Sequence, residues 1–571
     1  MTSVREPGDA RGDADPRTVD LGAADVDDDG PAPADLGPHD LDDDPRVGDF
    51  ELGEVPSARS IRRFTARAAR ARAGASVGSL LTDVYTAVTS VVISVLIVLG
   101  VVQQLGEALP PAPPVHAPGG LSLPALVAVL LLAAVGALLS TAGRLGPVGA
   151  EGPQAAWWLA LPVDRRGLLR PAAARGPVVA ALAGAAVVVV LEAGLLASSG
   201  ATLVRAGLLG ALVAAVVVLL AAVAQSRGVP RRRTAVAGDL VLVAAPVVAV
   251  ALVLTGRTPT ALPAPSWGVV VVAAVVAGLL AALVDARLGA LPGRTLREGG
   301  SAATQAVGAV VSLDSRELGR ALTGGAAASS HRRVSRLRTA RGPATALVTA
   351  DLVVLRRSLR HVVQLVVAAG LPVLATVVPQ LASTVGVLLA VLVGGWMAAS
   401  ASAEGARWAE MAPVVDRLLP LEARTVRRLR MVVPGVAVLL WTVVALGAVG
   451  IWAGAPLDWV LLGLAAVPVW AAAAVRAAYR PAPSWDKPLV ATPAGALPTG
   501  VLQVVARGPD LIAFCLLPLW IAIGLHTVTT VMVTAQVVLS TVAVLIGSSV
   551  HDKGWLERMM EEQDERKKAG A

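Results

Sequence analysis

The chain has 571 residues, of which 55% are hydrophobic and only 16% charged, and its mean hydropathy is +0.68. A water-soluble protein of this length must cover its core with far more polar surface, so that class is excluded. A single cysteine, Cys515, excludes an intramolecular disulfide and a cysteine-based metal cage, and reads as a small apolar core residue.

Residues 1–55 form a separate object, with seventeen acids against four arginines and almost no aliphatic run. Such a segment cannot bury enough apolar surface to offset chain entropy, so it is expected to be a disordered cytosolic tail. Without it the chain carries 24 acids and 45 basic residues, a net of +21 in place of +8. No cleavable leader is expected, and the first span should serve as the insertion signal. The stretch that follows places Ile61, Phe64, Ala68 and Ala71 on one helical face flanked by Arg62, Arg63 and Arg67, as expected of a helix lying in the headgroup layer.

Apolar runs long enough to cross a bilayer then come in two sets of six. The first set lies at 84–105, 121–142, 177–198, 203–225, 239–256 and 267–285, and the second at 361–379, 383–402, 432–453, 457–475, 510–527 and 530–548. The last pair is open to a second reading as one re-entrant hairpin. The fold class expected is therefore an all-α polytopic transmembrane bundle of about twelve spans. Its first half occupies 56–286, a cytosolic linker 287–348, its second half 349–550 and a charged cytosolic tail 551–571. With the amino terminus inside, 47 of the 49 Lys and Arg residues fall in segments on the cytosolic side, the pattern that sets topology. Both termini are thus expected in the cytosol of a multi-pass protein of the plasma or inner membrane. The outer loops are short; the longest, Gly106–Gly120, is Pro-rich and has no basic residue.

The halves share more than a span count. Trp157-Trp158 leads into Leu161-Pro162-Val163-Asp164-Arg165-Arg166, with Arg170 beyond, between the second and third spans. Leu419-Pro420-Leu421-Glu422-Ala423-Arg424, with Arg427 and Arg428 beyond, lies between the eighth and ninth. Both read Leu-Pro-aliphatic-acid-x-Arg at the same place in their half, which points to an internal duplication. Proline is tolerated in a first helical turn, and Asp164 and Glu422 are expected in that turn, where a carboxylate favours the helix dipole. The arginines after them are expected to be free for acids on a partner. An ordinary capped interfacial helix, with the tryptophans at the headgroups, reads the same residues. The segment ending in Arg356-Arg357 before the seventh span matches the amphipathic stretch around Phe64. Inside the bilayer few groups ionise: Glu192 in the third span is a possible polar site, unless it reaches water at the outer interface, and His526 is similar. Prolines 246, 372, 468 and 518 are expected to kink spans or open gaps.

An interfacial helix, two spans, a long loop carrying a short charged helix, then four more spans: this plan resembles the permease of an ABC-2 type (type II exporter-like) transporter. The 157–166 stretch is similar to the first cytosolic loop of such permeases, and the architecture also resembles uncharacterised bacterial membrane proteins of that class. The resemblance covers about 56–550. It implies that two permease units are fused in one chain and that the loops at Leu161–Arg170 and Pro420–Arg428 dock a separate cytosolic ATP-binding subunit. No Gly-x-x-x-x-Gly-Lys-Ser/Thr occurs, so the ATPase would be another polypeptide. Metalloprotease, Cys-x-x-Cys and Gly-x-Ser-x-Gly motifs are also absent, so no enzyme activity, cofactor, metal or nucleic-acid partner is expected, and membrane lipids are. The rival readings are an ion-coupled secondary transporter of the twelve-span class and a non-transporting scaffold. Asp164-Arg165-Arg166-Gly167 is similar to the loop motif of major facilitators, but Ala160 stands in place of the first glycine and Leu168-Leu169 in place of paired basic residues.

Overall fold

In the computed structural model the described residues are 56–72, 120–161, 163–198, 200–311, 340–480, 489–492, 495–498 and 507–550, with isolated positions among 85–104 and at 319, 321 and 322. The acidic tail 1–55, most of the first span at 84–105, nearly all of the Pro-rich outer strip, Pro162, most of the later part of the linker and the tail 551–571 lie outside them. The chain divides into two units, Met1–Pro56 and Ser57–Ala571, and the second holds every helix described below.

That unit is a helical bundle. Its first part contains α1 (Ala58–Arg72), α2 (Leu123–Leu145), α3 (Gly152–Trp157), α4 (Arg165–Leu195), α5 (Gly200–Ser226), α6 (Arg231–Thr255), α7 (Trp267–Arg287) and α8 (Gly293–Val311). Its second part contains α9 (Pro343–Arg357), α10 (Leu359–Val377), α11 (Thr384–Ser402), α12 (Glu404–Met411), α13 (Pro413–Arg417), α14 (Ala423–Arg430), α15 (Val432–Ala453), α16 (Pro456–Ala478), α17 (Pro509–Cys515), α18 (Leu517–Leu525) and α19 (Thr530–Gly547). Between α16 and α17 a small antiparallel hairpin pairs β1 (Leu489–Thr492) with β2 (Gly495–Pro498).

Ten helices among the described residues are long and apolar enough to cross a membrane, so the chain is a multi-pass membrane protein. They coincide with ten of the runs read from sequence. The run at 510–527 differs: it is broken at Leu516 into α17 and α18, with Pro518 in the first turn of α18, where its missing N–H costs nothing. His526 takes a left-handed conformation (φ 57°) and ends α18 before the chain turns into α19, which packs back on both short helices.

The third span of each half is much longer than its apolar run. Arg165–Leu195 and Ala423–Ala453 are each 31 residues, roughly 46 Å against a hydrocarbon core of about 30 Å, so each projects a basic stub beyond the apolar layer. The halves also share a packing plan. The third span lies on the fourth (α4 on α5; α15 on α16) and the fourth on the sixth (α5 on α7; α16 on α19). They meet where α6 packs against α10 and where the Leu121 amide donates to the Val377 carbonyl at 3.1 Å.

Within the first half, α2 and α6 make the closest approach. A Cβ on Gly136 or Gly143 would stand 2.5 Å from a backbone nitrogen of α6, and one on Gly238 would run into Ser140. Small residues at such a seam let two backbones touch, which substitutes for the hydrophobic drive that lipid does not provide. The second half is held by one large apolar cluster around Trp441, Trp459 and Trp470. Trp441 stacks edge-on to Trp470, with 5.9 Å between ring centres, and donates to the Ala368 carbonyl at 3.0 Å.

Candidate functional site

The basic stubs of the two third spans are built alike. Before each, the chain makes the same two backbone bonds: Leu161 N to Trp158 O at 3.3 Å and Val163 N to Leu161 O at 2.9 Å in the first half, Leu419 N to Asp416 O at 3.3 Å and Leu421 N to Leu419 O at 2.8 Å in the second. The helix then starts one residue after the acid. Asp164 and Glu422 are therefore N-caps and not members of the first turn, a small correction to the sequence reading. Asp164 accepts from the Arg166 amide at 2.9 Å, whereas Glu422 makes no side-chain cap bond. The shorter acid is the better N-cap, which accounts for the difference. One turn on, Leu168 and Val426 are both buried.

Each stub is clasped by the 15-residue helix that precedes its half: α1 packs on α4, and α9 packs on α14. Arg62 donates to the Gly167 carbonyl at 2.7 Å and Ile61 is buried, while Arg63, Phe64 and Arg67 are exposed. Ile61 packs into the bundle, and Phe64, 72% exposed, stands out beside its arginines. Arg356 and Arg357 are exposed at the end of α9.

The arginines of the first stub are not free. Arg166 and Arg170 both reach Asp285, near the end of the sixth span, at 2.5 and 2.7 Å. Arg165 donates to the Leu159 carbonyl at 3.2 Å. In the second half Arg427 donates to the Ser549 carbonyl and lies over the Tyr479 ring, and Arg428 approaches the Ser548 hydroxyl at 3.5 Å, again at the end of the sixth span. The expectation that these arginines stand open for a partner is thereby corrected: each stub is tied to its own half's last span. Leu161 and Asp164 in one half, and Pro420, Glu422 and Arg424 in the other, are exposed, as are Arg170 and Arg428 in spite of their contacts. Trp157 (74%), Val414 (63%) and Leu418 (79%) stand out beside them.

Charges that sequence reasoning missed lie behind the stubs. Arg430 is buried with Asp351 at 2.5 Å and Asp416 at 2.6 Å, and Asp416 also accepts from the Tyr479 hydroxyl at 3.1 Å. This network fastens α9, α13, α14 and the end of α16 together. Burial pushes the Asp351 carboxyl above its usual range although Arg430 pulls it down, and burial likewise raises the Tyr479 phenol. Gly405 is required there, since a Cβ would meet the Asp351 carboxylate. Within the first half, on the side that faces the second, Asp239 is buried with Arg144 at 2.6 Å and the Ser140 hydroxyl at 2.6 Å, a contact that the close α2–α6 seam allows. Facing it across the seam between α6 and α10, His361 is 3.7 Å from Glu404, which also pairs with Arg407 at 2.8 Å. The signal was present in one case: Asp239 interrupts an apolar α6.

Glu192 lies in the last turn of α4, half-buried, where it accepts from the Ser198 hydroxyl at 2.8 Å. The helix ends at Leu195, three residues beyond Glu192, so its geometry is that of a helix-end carboxylate, the alternative the sequence left open. His526 is exposed at a turn, 2.9 Å from the Thr384 hydroxyl. No cluster of metal-ligating side chains occurs among the described residues.

DUF6297, a family of unknown function, matches residues 116–488, more than half of the chain. That match contains both stubs, the Arg430 network and the Asp239–Arg144 pair, and leaves α1 and α17 to α19 outside. No curated protein and no solved structure matches the chain. By the extent of that match, the chain belongs to the DUF6297 family.

Proposed function

We propose that this chain is the membrane-spanning permease of an ATP-driven, ABC-2 type exporter, with two six-span halves fused and a separate cytosolic ATP-binding protein as motor. The observation that carries the reading is the recurrence of one device in both halves. It is a 31-residue third span that starts behind an acid, projects past the apolar layer, and is clasped by a 15-residue helix and tied to its own sixth span. A lever that transmits force from a cytosolic motor needs this rigidity, since a stub free to bend would dissipate the movement. The excess of Lys and Arg at the stub side supports a cytosolic position for that side. Because Arg165, Arg166, Arg170, Arg427 and Arg428 are occupied, the surface offered to a motor is the exposed tip of each connector: Leu161 and Asp164, and Leu418, Pro420, Glu422 and Arg424.

The test is co-purification of the tagged full-length chain in mild detergent, followed by identification of accompanying polypeptides. A stoichiometric P-loop ATPase that is lost from Leu161→Asp/Leu418→Asp supports the proposal; a single clean chain is contrary to it. The second reading, an ion-coupled secondary transporter, gains one specific observation. The buried Asp239–Arg144 pair and His361 near Glu404 place titratable groups at the seam between halves, where such transporters bind ions. Flux that follows a proton gradient and ignores ATP would select it.

A further inference from the structure

The seam between the halves encloses a cavity of about 500 Å³, walled by α6 on one side and by the ends of α9 and α10 with α12 on the other. Its charged lining is strongly unbalanced. Two acids reach it, and both are taken: Asp239 by Arg144 and Ser140, and Glu404 by Arg407 and the Trp408 indole at 3.1 Å. Arg232 also lines the cavity and makes no ion pair among the described residues. Arg360 donates to the Gly319 carbonyl at 3.0 Å, which satisfies a hydrogen bond but does not neutralise the guanidinium. His361, 3% exposed, also lines the cavity, and its buried Nδ1 has no hydrogen-bond partner among the described residues. An apolar, partly closed space holding uncompensated positive charge and an unmet ring nitrogen is energetically poor when empty. A phosphate oxygen answers both needs, because guanidinium groups match phosphate with paired bonds and the N–H of a neutral imidazole can donate to it.

The cavity does not end at the arginines. Arg232 and Val236 also line a neighbouring groove of about 310 Å³ that runs along α6 past Ala237 to Leu240. Ala237 and Leu240 are exposed on this spanning helix, so they face the bilayer. A basic pocket continuous with an apolar strip on a spanning helix is shaped for an amphiphile, not for a free ion. We propose that this seam binds an anionic phosphate-bearing lipid, its headgroup between Arg232 and Arg360 and one chain along Val236 and Leu240. The site depends on the geometry of the two halves alone, and stands whether or not the chain works with an ATPase.

The experiment is native mass spectrometry of the full-length protein, delipidated and then offered phosphatidylglycerol, phosphatidylcholine or inorganic phosphate. Wild type should retain phosphatidylglycerol over phosphatidylcholine by at least about tenfold, with inorganic phosphate a weak competitor. Arg232→Gln/Arg360→Gln should abolish the preference. Arg232→Gln alone, at an exposed position that does not threaten folding, should reduce it, and Arg294→Gln on α8 should leave it intact. Equal retention of the two lipids by wild type, or an unchanged preference in Arg232→Gln, overturns the proposal. So does displacement of phosphatidylglycerol by inorganic phosphate at comparable concentration, which would assign the cavity to a free anion.

Discussion

The two halves follow one plan but are held together by different physics. In the first, α2 and α6 touch through Gly136, Gly143 and Gly238, the apolar contacts fall into several small clusters, and the stub is tied down by Asp285 with half-exposed arginines. In the second, one continuous core surrounds three tryptophans, and the stub is tied down by Arg430 buried between two carboxylates. A shared arrangement with unshared interactions shows that the position of the third span is the constrained quantity. It also assigns the two halves different tolerances: a surface ion pair contributes little net stability, whereas removing one member of a buried network strands the others without water or partner.

That contrast is sharpest at Arg430. Arg430→Met leaves Asp351 and Asp416 buried and unpaired, and should cost about 3–5 kcal/mol, seen as a large fall in the thermal midpoint of the detergent-solubilised protein. Adding Asp351→Asn should return part of the loss; if Arg430→Met unfolds no earlier than wild type, the network is not what holds the second stub. Next in size, Gly238→Leu forces α6 away from Ser140 and should cost roughly 1–3 kcal/mol, with loss of the Asp239–Arg144 pair behind it. A midpoint equal to wild type would show that the α2–α6 seam is slack. The smallest effect belongs to Asp285→Asn, which should leave the midpoint unchanged. A fall matching that of Arg430→Met would erase the difference between the halves.

Spans were legible because hydropathy is a local property: ten apolar runs read from sequence coincide with helices long enough to cross a bilayer. The acid at each helix start was legible only to within a residue: the sequence placed Asp164 and Glu422 in a first turn, and both are N-caps. What the sequence hid was distant or weakly patterned. Asp285 is more than a hundred residues from Arg166, and nothing near either residue announces the other. The stubs themselves, Arg165–Gly176 and Ala423–Arg430, are too basic to score as span, so both third helices read short. Buried charges escaped because Asp351 and Arg430 each sit in or beside basic segments that read as solvent-facing helices, and only their packing removes them from water.

The account's central claim is that both connector tips meet the same motor. A photo-crosslinking amino acid placed at Leu161 in one strain and at Leu418 in another tests this in intact cells. The account predicts a crosslink from each position to one and the same cytosolic ATP-binding polypeptide. Crosslinks to lipid alone at both positions, or to an ATP-binding protein at neither, would contradict it.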